Sequence, residues 1–257
     1  MIKYWLKLWS TNQELFWDAI QLIHEWYFDF IELYIIPNGF DVLILEEFRL
    51  AKIPISFHLP HGAHGFNPID PSNPSELIWD QLSIYIDFLN PFALILHPES
   101  GTDLNILNKR LSFFNENRIL IENMPKKSSI IRDMIFFGYS IEQIWEIKKI
   151  HNGFCFDFAK AKSSAISQWI DIINFSDELI QLMNPNYFHI SWFLWNTEID
   201  EHFDIMEWDT LYMQYMKNKL MNIALKKDIS IVFECKKKDG LKNDLINLVF
   251  FKNIKPY

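Results

Sequence analysis

The side chains best able to do chemistry in this chain stand at the ends of short apolar runs. IPISFH closes on His58, FALILH on His97, RILIE on Glu122, GFCFD on Asp157 and ISIVFE on Glu234, while YFHISW carries His189. Imidazoles and carboxylates are the groups that ligate divalent cations and move protons. Carboxylates brought close together repel, and one of their pKa values climbs. A bound divalent cation removes that conflict, and imidazoles add neutral ligands around it. Any single His at the end of such a run is more often a hydrogen-bonded core or surface residue. Six such groups ending six runs point instead to one site assembled from distant segments.

The apolar runs alternate with stretches of helical periodicity. Strands are expected over 3–10, 29–37, 54–60, 92–100, 118–125, 153–159, 187–192 and 229–235. Helices are expected after an Asn12 cap, up to about Ala51, and over 75–90, 103–116, 140–151, 163–183, 209–227 and 241–252. Eight βα units without a composition break predict a parallel sheet closed into a (β/α)8 barrel, one domain over 1–257, since such barrels take about 250 residues. Strand residues alternate faces, so Gly153, Cys155 and Asp157 share one side, as do Leu120 and Glu122. An apolar inner stripe ending in a carboxylate is what a barrel strand shows where its last inward residue meets the open mouth. Two long loops join the same rim: 61–74 with His61 and His64, and 193–209 with Asp200 and His202.

Composition narrows the partners. Only 7 Gly are present and no G-x-G-x-x-G or Walker-type run occurs, which argues against nucleotide folds of those kinds. With 24 Lys and Arg against 33 Asp and Glu, the net charge is −9. Nucleic acid is gripped through a basic face, so that balance disfavours it as a partner, although a local basic groove stays open. The dense basic cluster Lys236–Lys237–Lys238 is explained as well by a solvated loop after a strand. The start, MIKYWLKLWSTN, reads as a strand rather than a leader, and no apolar run approaches the ~18 residues of a membrane span. Cys155 and Cys235 are expected to be free thiols in a cytoplasmic, reducing setting. Trp5, Phe16, Trp17, Trp26 and Tyr27 are expected in the core or on a homodimer face.

Taken in order, HLPH with Asn67-Pro68 after it (His58), LHP (His97), IEN (Glu122), CFD (Cys155, Asp157), HISW (His189), DEH (Asp200, His202) and FEC (Glu234) resemble the xylose isomerase-like TIM barrels. That superfamily includes endonuclease IV (AP endonuclease family 2) and many sugar isomerases and epimerases. The resemblance covers essentially the whole chain; each motif is weak alone, and the ordered set is more specific. It implies one or two divalent metal ions, Mn²⁺, Zn²⁺ or Mg²⁺, at the barrel mouth. In the epimerase branch a metal is held by Glu, Asp, His and Glu of strands five to eight, here Glu122, Asp157, His189 and Glu234. By the same resemblance Glu122 and Glu234 would move the proton at the substrate carbon. In the endonuclease branch His58, His97 and Glu122 match a further metal site and Asp200-x-His202 a third.

Two departures bear on the choice. Both branches carry a His three residues after the strand-six Asp, where Lys160 stands here. A cationic Lys is a poor ligand, which leaves the third endonuclease-type site incomplete. The Gly- and Ser-rich opening expected of a DNA-repair member is replaced by KLWSTN. The resemblance then implies isomerisation or epimerisation of a sugar or sugar derivative by metal-assisted proton transfer. The alternatives are a zinc-dependent phosphodiesterase of the endonuclease IV type and a barrel that only binds a ligand. His61, His64, Lys160, Trp192, Asp200 and His202 are candidate substrate contacts, with Trp192 and Trp195 placed to stack on a sugar ring. Exposed loop histidines, an exposed lysine and packing tryptophans are the ordinary alternatives for these residues.

Overall fold

In a computed structural model, which describes residues 1–37, 42–128, 134–191, 210–237 and 239–253, eight parallel strands close in chain order. They are β1 (Ile2–Trp9), β2 (Phe30–Tyr34), β3 (Ile55–His58), β4 (Leu94–Leu96), β5 (Ile119–Glu122), β6 (Phe154–Asp157), β7 (Tyr187–Ile190) and β8 (Ile229–Phe233). The circle closes where β8 pairs with β1, Lys3 lying beside Ser230 and Leu6 beside Phe233. The helices between them are α1 (Phe16–His24), α2 (Glu46–Ala51), α3 (Ser75–Leu89), α4 (Leu104–Phe114), α5 (Ile141–Ile150), α6 (Phe158–Gln168), α7 (Ile172–Met183) and α8 (Thr210–Ala224), with α9 (Lys242–Asn253) after β8. This is a (β/α)8 TIM barrel.

The period of two along each strand divides the packing into two cores. Outward residues such as Leu6, Leu8, Ile31, Leu33, Phe57, Ile121, Phe156 and Phe188 are buried under the helices. Inward residues Trp5, Ala93, Ile95, Cys155, Tyr187 and Val232 fill the barrel, with Trp5 stacked on Phe30 at 4.4 Å between ring centroids. That plug closes the middle of the barrel, so the next inward residues face only the carboxyl-terminal mouth.

Local chemistry sets several boundaries. Asp103, Ser140, Asp157 and Asp171 each cap a helix by accepting a backbone N–H with the side chain, from Asn105, Gln143, Lys160 and Asn174 respectively. The helix expected over 163–183 is two helices: α6 ends at Trp169 in the left-handed region (φ 60°), and Asp171 starts α7 afresh. Asn12 does not cap α1; its Oδ1 accepts the Trp9 N–H at 3.1 Å and turns the chain off β1 instead. Of the early aromatics, Trp5 and Phe16 are buried while Trp17, Trp26 and Tyr27 are exposed. Both cysteines are buried free thiols. No helix among the described residues is long and apolar enough to cross a membrane.

Candidate metal and proton-transfer site

Directly above the apolar plug the inward positions turn polar on every strand. β1 contributes Lys7, β2 Glu32, β5 Glu122, β6 Asp157 and β7 His189, while His58 ends β3 and His97 and Glu234 follow β4 and β8. All eight side chains are buried. The floor of this layer is a hydroxyl relay: Ser56 lies 2.7 Å from the Tyr187 hydroxyl, which donates to Glu32 Oε2 at 2.6 Å.

His189 stands at the centre. Its Nε2 lies 3.0 Å from Glu32 Oε2, and its Nδ1 lies 2.8 Å from Glu122 Oε1 and 3.1 Å from Glu234 Oε1. Burial works against a charged ring, but Glu32, Glu234 and Glu122 outweigh it and hold His189 well above the ordinary imidazole range. Cys155 beside it is pushed far up by burial and stays a neutral thiol.

Two ammonium groups serve the carboxylates. Lys7 Nζ pairs with Glu32 Oε1 at 3.0 Å and with Glu234 Oε1. Lys160 Nζ pairs with Glu122 Oε1 at 2.8 Å and approaches Asp157 Oδ2 at 3.6 Å and His97 Nε2 at 3.0 Å. Burial opposes ionisation of Glu122, yet Lys160, His189 and His97 hold its carboxyl well below the usual range. Burial likewise opposes ionisation of Glu32, and His189 and Lys7 hold it down to about 2.

The backbone explains why Asp157 and Lys160 meet. Asp157 ends β6 and caps α6, its Oδ1 accepting the Lys160 N–H at 2.9 Å. Its main chain is clamped by Asn123, whose amide donates to the Asp157 carbonyl at 2.9 Å and whose Oδ1 accepts the Asp157 N–H at 2.8 Å. Side chains in a first helical turn lean towards the N-terminus, so Lys160 is aimed back into the mouth.

A second group of rings borders this cluster. His61 stacks on His97 at 4.1 Å and His58 lies edge-on to His97 at 4.8 Å. Tyr34 anchors the loop, accepting the His61 N–H at 3.0 Å and donating to His64 Nδ1 at 2.7 Å. Burial, then Lys7, push His58 down to about 3, so the ring is neutral. Its Nδ1–H donates to the Leu59 carbonyl at 3.0 Å, which leaves the Nε2 lone pair facing Glu122 Oε2 at 3.4 Å.

Two sets of donor atoms converge in this layer. One ligand atom from each of Glu122, Asp157, His189 and Glu234 lies within 4.8 Å of the others, and the same holds for His58, His61 and His97. These residues fit a divalent cation by type and spacing.

The expected residues Glu122, Asp157, His189, Glu234, His58, His97 and Lys160 are thus brought together, with His61 against them and His64 held one step out by Tyr34. Trp192, Trp195, Asp200 and His202 lie outside the described residues. Sequence reasoning missed Lys7, Glu32, Tyr187 and Glu99. Glu32 interrupts the run FIELY as the other acids do, but in mid-strand rather than at its end. Lys7 alternates with hydrophobics, a pattern that a half-solvated strand shows equally. Glu99 gave no signal; it is buried with a left-handed backbone (φ 67°), and its Oε1 lies 3.3 Å from His97 Nδ1.

No family model and no curated protein matches this sequence. Solved structures share the fold. Endonuclease IV from Thermus thermophilus superposes with a TM-score of 0.67 at 16% identity, covering 97% of each chain. An L-ribulose 3-epimerase gives 0.59 at 13% identity, covering 99% of this chain and 92% of its own. D-psicose 3-epimerase from Clostridium cellulolyticum, solved with D-tagatose, gives 0.54 at 10% identity, covering 96% and 89%. These structures share the (β/α)8 barrel of this chain, and the proteins in them are enzymes by name.

Proposed function

We propose that the chain, as one barrel domain over 1–257, is a divalent-metal-dependent isomerase or epimerase of a small sugar or sugar derivative. Charge balance in the mouth carries this reading. Among the described residues, Glu32, Glu122, Asp157 and Glu234 face the two ammonium groups of Lys7 and Lys160, and a fifth buried carboxylate, Glu99, lies against His97. The buried acids outnumber these ammonium groups, and a divalent cation held by Glu122, Asp157, His189 and Glu234 would offset that surplus, His189 having to be deprotonated to ligate it. A pocket balanced in that way suits a neutral polyol, whereas a phosphodiester would call for surplus positive charge.

Glu122, Asp157, His189 and Glu234 would hold the ion, which would polarise a substrate oxygen and so acidify the neighbouring C–H. Glu122 and Glu234 reach His189 Nδ1 from two separate strands, β5 and the end of β8, so carboxylates enter the site from different sides. One would take the proton from the substrate carbon and the other would return it. Lys7 and Lys160 keep these acids ionised and oriented, and the plug of Trp5, Tyr187 and Val232 closes the site from below.

The structural likeness to endonuclease IV over nearly the full length of both chains, with the three-imidazole group, supports a second reading as a zinc-dependent phosphodiesterase. One experiment separates them: the protein with Mn²⁺, Mg²⁺ or Zn²⁺ is incubated with ketopentoses and ketohexoses in D₂O and, separately, with an abasic-site duplex. Deuterium washing into the sugar, abolished in Glu234→Gln, is expected. Cleavage of the duplex without exchange would replace this reading by the second. Inertness towards both would leave a barrel that only binds.

A further inference from the structure

We infer that Lys160 supplies a second cation from the chain itself, so that the barrel mouth holds one divalent ion and its three-imidazole group stays metal-free. The inference rests on the single-ion reading above and adds to it the residue that sets the ion count.

Lys160 Nζ sits where three strands' polar ends converge: 3.0 Å from His97 Nε2, 2.8 Å from Glu122 Oε1 and 3.6 Å from Asp157 Oδ2. The residue is 2% exposed, and its position is dictated by the Asp157 cap at the start of α6. The buried ammonium therefore occupies the space in front of His97 Nε2, the nitrogen that the ring turns into the mouth. The same Nε2 lies 2.6 Å from Glu122 Oε2. His97 Nε2 and Glu122 Oε1 both lie within hydrogen-bond distance of the ammonium, as a nitrogen and an oxygen gather round a shared metal ion.

The neighbouring donors explain the consequence. His58, His61 and His97 could together hold an ion, and His97 belongs to both arrangements. An ion on His97 Nε2 would compete with Lys160 Nζ for the space 3.0 Å from that nitrogen and would press a divalent charge against a buried ammonium with no solvent to screen it. The set Glu122, Asp157, His189 and Glu234 has three carboxylates to offset the ammonium and can take an ion with Lys160 in place.

The test counts ions. Chelator-stripped full-length protein is titrated with Zn²⁺ against a competing chromophoric chelator, and bound metal is measured by mass spectrometry after desalting. The wild type is expected to bind one equivalent, Lys160→Ala two, with the second at least tenfold tighter than any further binding by the wild type, and Lys160→Arg one. Two equivalents in the wild type, or one in both the wild type and Lys160→Ala, would overturn the role of Lys160. The latter result would leave the single-ion reading standing, whereas no ion in the wild type would end both. Should Lys160→Ala fail to fold, anomalous scattering from Zn²⁺-loaded wild-type crystals decides. One peak among Glu122, Asp157, His189 and Glu234 with Lys160 still on His97 supports the inference, and a peak on His97 overturns it.

Discussion

Taking the metal-stripped protein from about pH 7.5 to about pH 5 should weaken it through His58. In the folded chain burial and then Lys7 push this imidazole down to about 3, whereas in the unfolded chain it titrates near 6.5. Between those values the unfolded state binds a proton that the folded state refuses, so stability is lost as the pH falls through the window. Over the stated range the loss is about 2 kcal/mol. His61 is pushed down as well, by burial first and then His97, and adds to the loss. His189 acts in the opposite direction. Burial lowers it, but the surrounding glutamates hold it high, so the folded state keeps its proton while the unfolded imidazole acquires one only on acidification. That contribution is present below the unfolded value and fades as pH rises, which returns about 1 to 2 kcal/mol on going to pH 5. Glu32, held at about 2, is ionised in both states over most of the window and adds only a few tenths of a kcal/mol. The wild type should therefore lose about 1 to 3 kcal/mol, and His58→Asn about 2 kcal/mol less than the wild type over the same interval. Urea unfolding followed by tryptophan fluorescence in EDTA, at both pH values, reads the difference. Equal acid losses in the two proteins would refute the assignment of a neutral, proton-refusing His58.

Two further outcomes follow from buried groups. Lys7→Met would leave Glu32 and Glu234 without their ammonium partner, at a cost of about 3 to 5 kcal/mol in chemical denaturation without metal. Added Mn²⁺ should restore more stability to this variant than to the wild type; a loss below about 1 kcal/mol would show that the pair is not needed. At Gly153 an added Cβ would lie 2.2 Å from the Ile119 carbonyl oxygen, a backbone atom of the neighbouring strand. Gly153→Ala is therefore expected to force β5 and β6 apart at about 3 kcal/mol or more, and a neutral result in the same assay would contradict the strand spacing.

The sequence carries the barrel plainly because its signals are local. Apolar runs of a few residues separated by helical periodicity repeat eight times, and each strand is found where its run stands. The break between α6 and α7 was invisible because the apolar spacing continues across it; only the left-handed Trp169 and the Asp171 cap interrupt it. The site was legible where an acid or imidazole ended a run, as at Glu122, Asp157 and Glu234, because a strand's last inward residue must face the mouth.

Tertiary structure alone decided which polar residues face inward in mid-strand and which of them touch. Lys7 and Glu32 read as ordinary alternation until the circle of strands closes, at which point every second residue is walled off from solvent. Lys160 shows the limit most clearly. The chain itself fixes its place three residues after Asp157, in the first turn of a helix. That its ammonium meets His97, 63 residues earlier, follows only from barrel closure bringing the ends of β4 and β6 to one rim. Periodicity along a chain sets which way a side chain points; distance through space, and therefore charge balance and ligand sets, is set only when the strands are brought together.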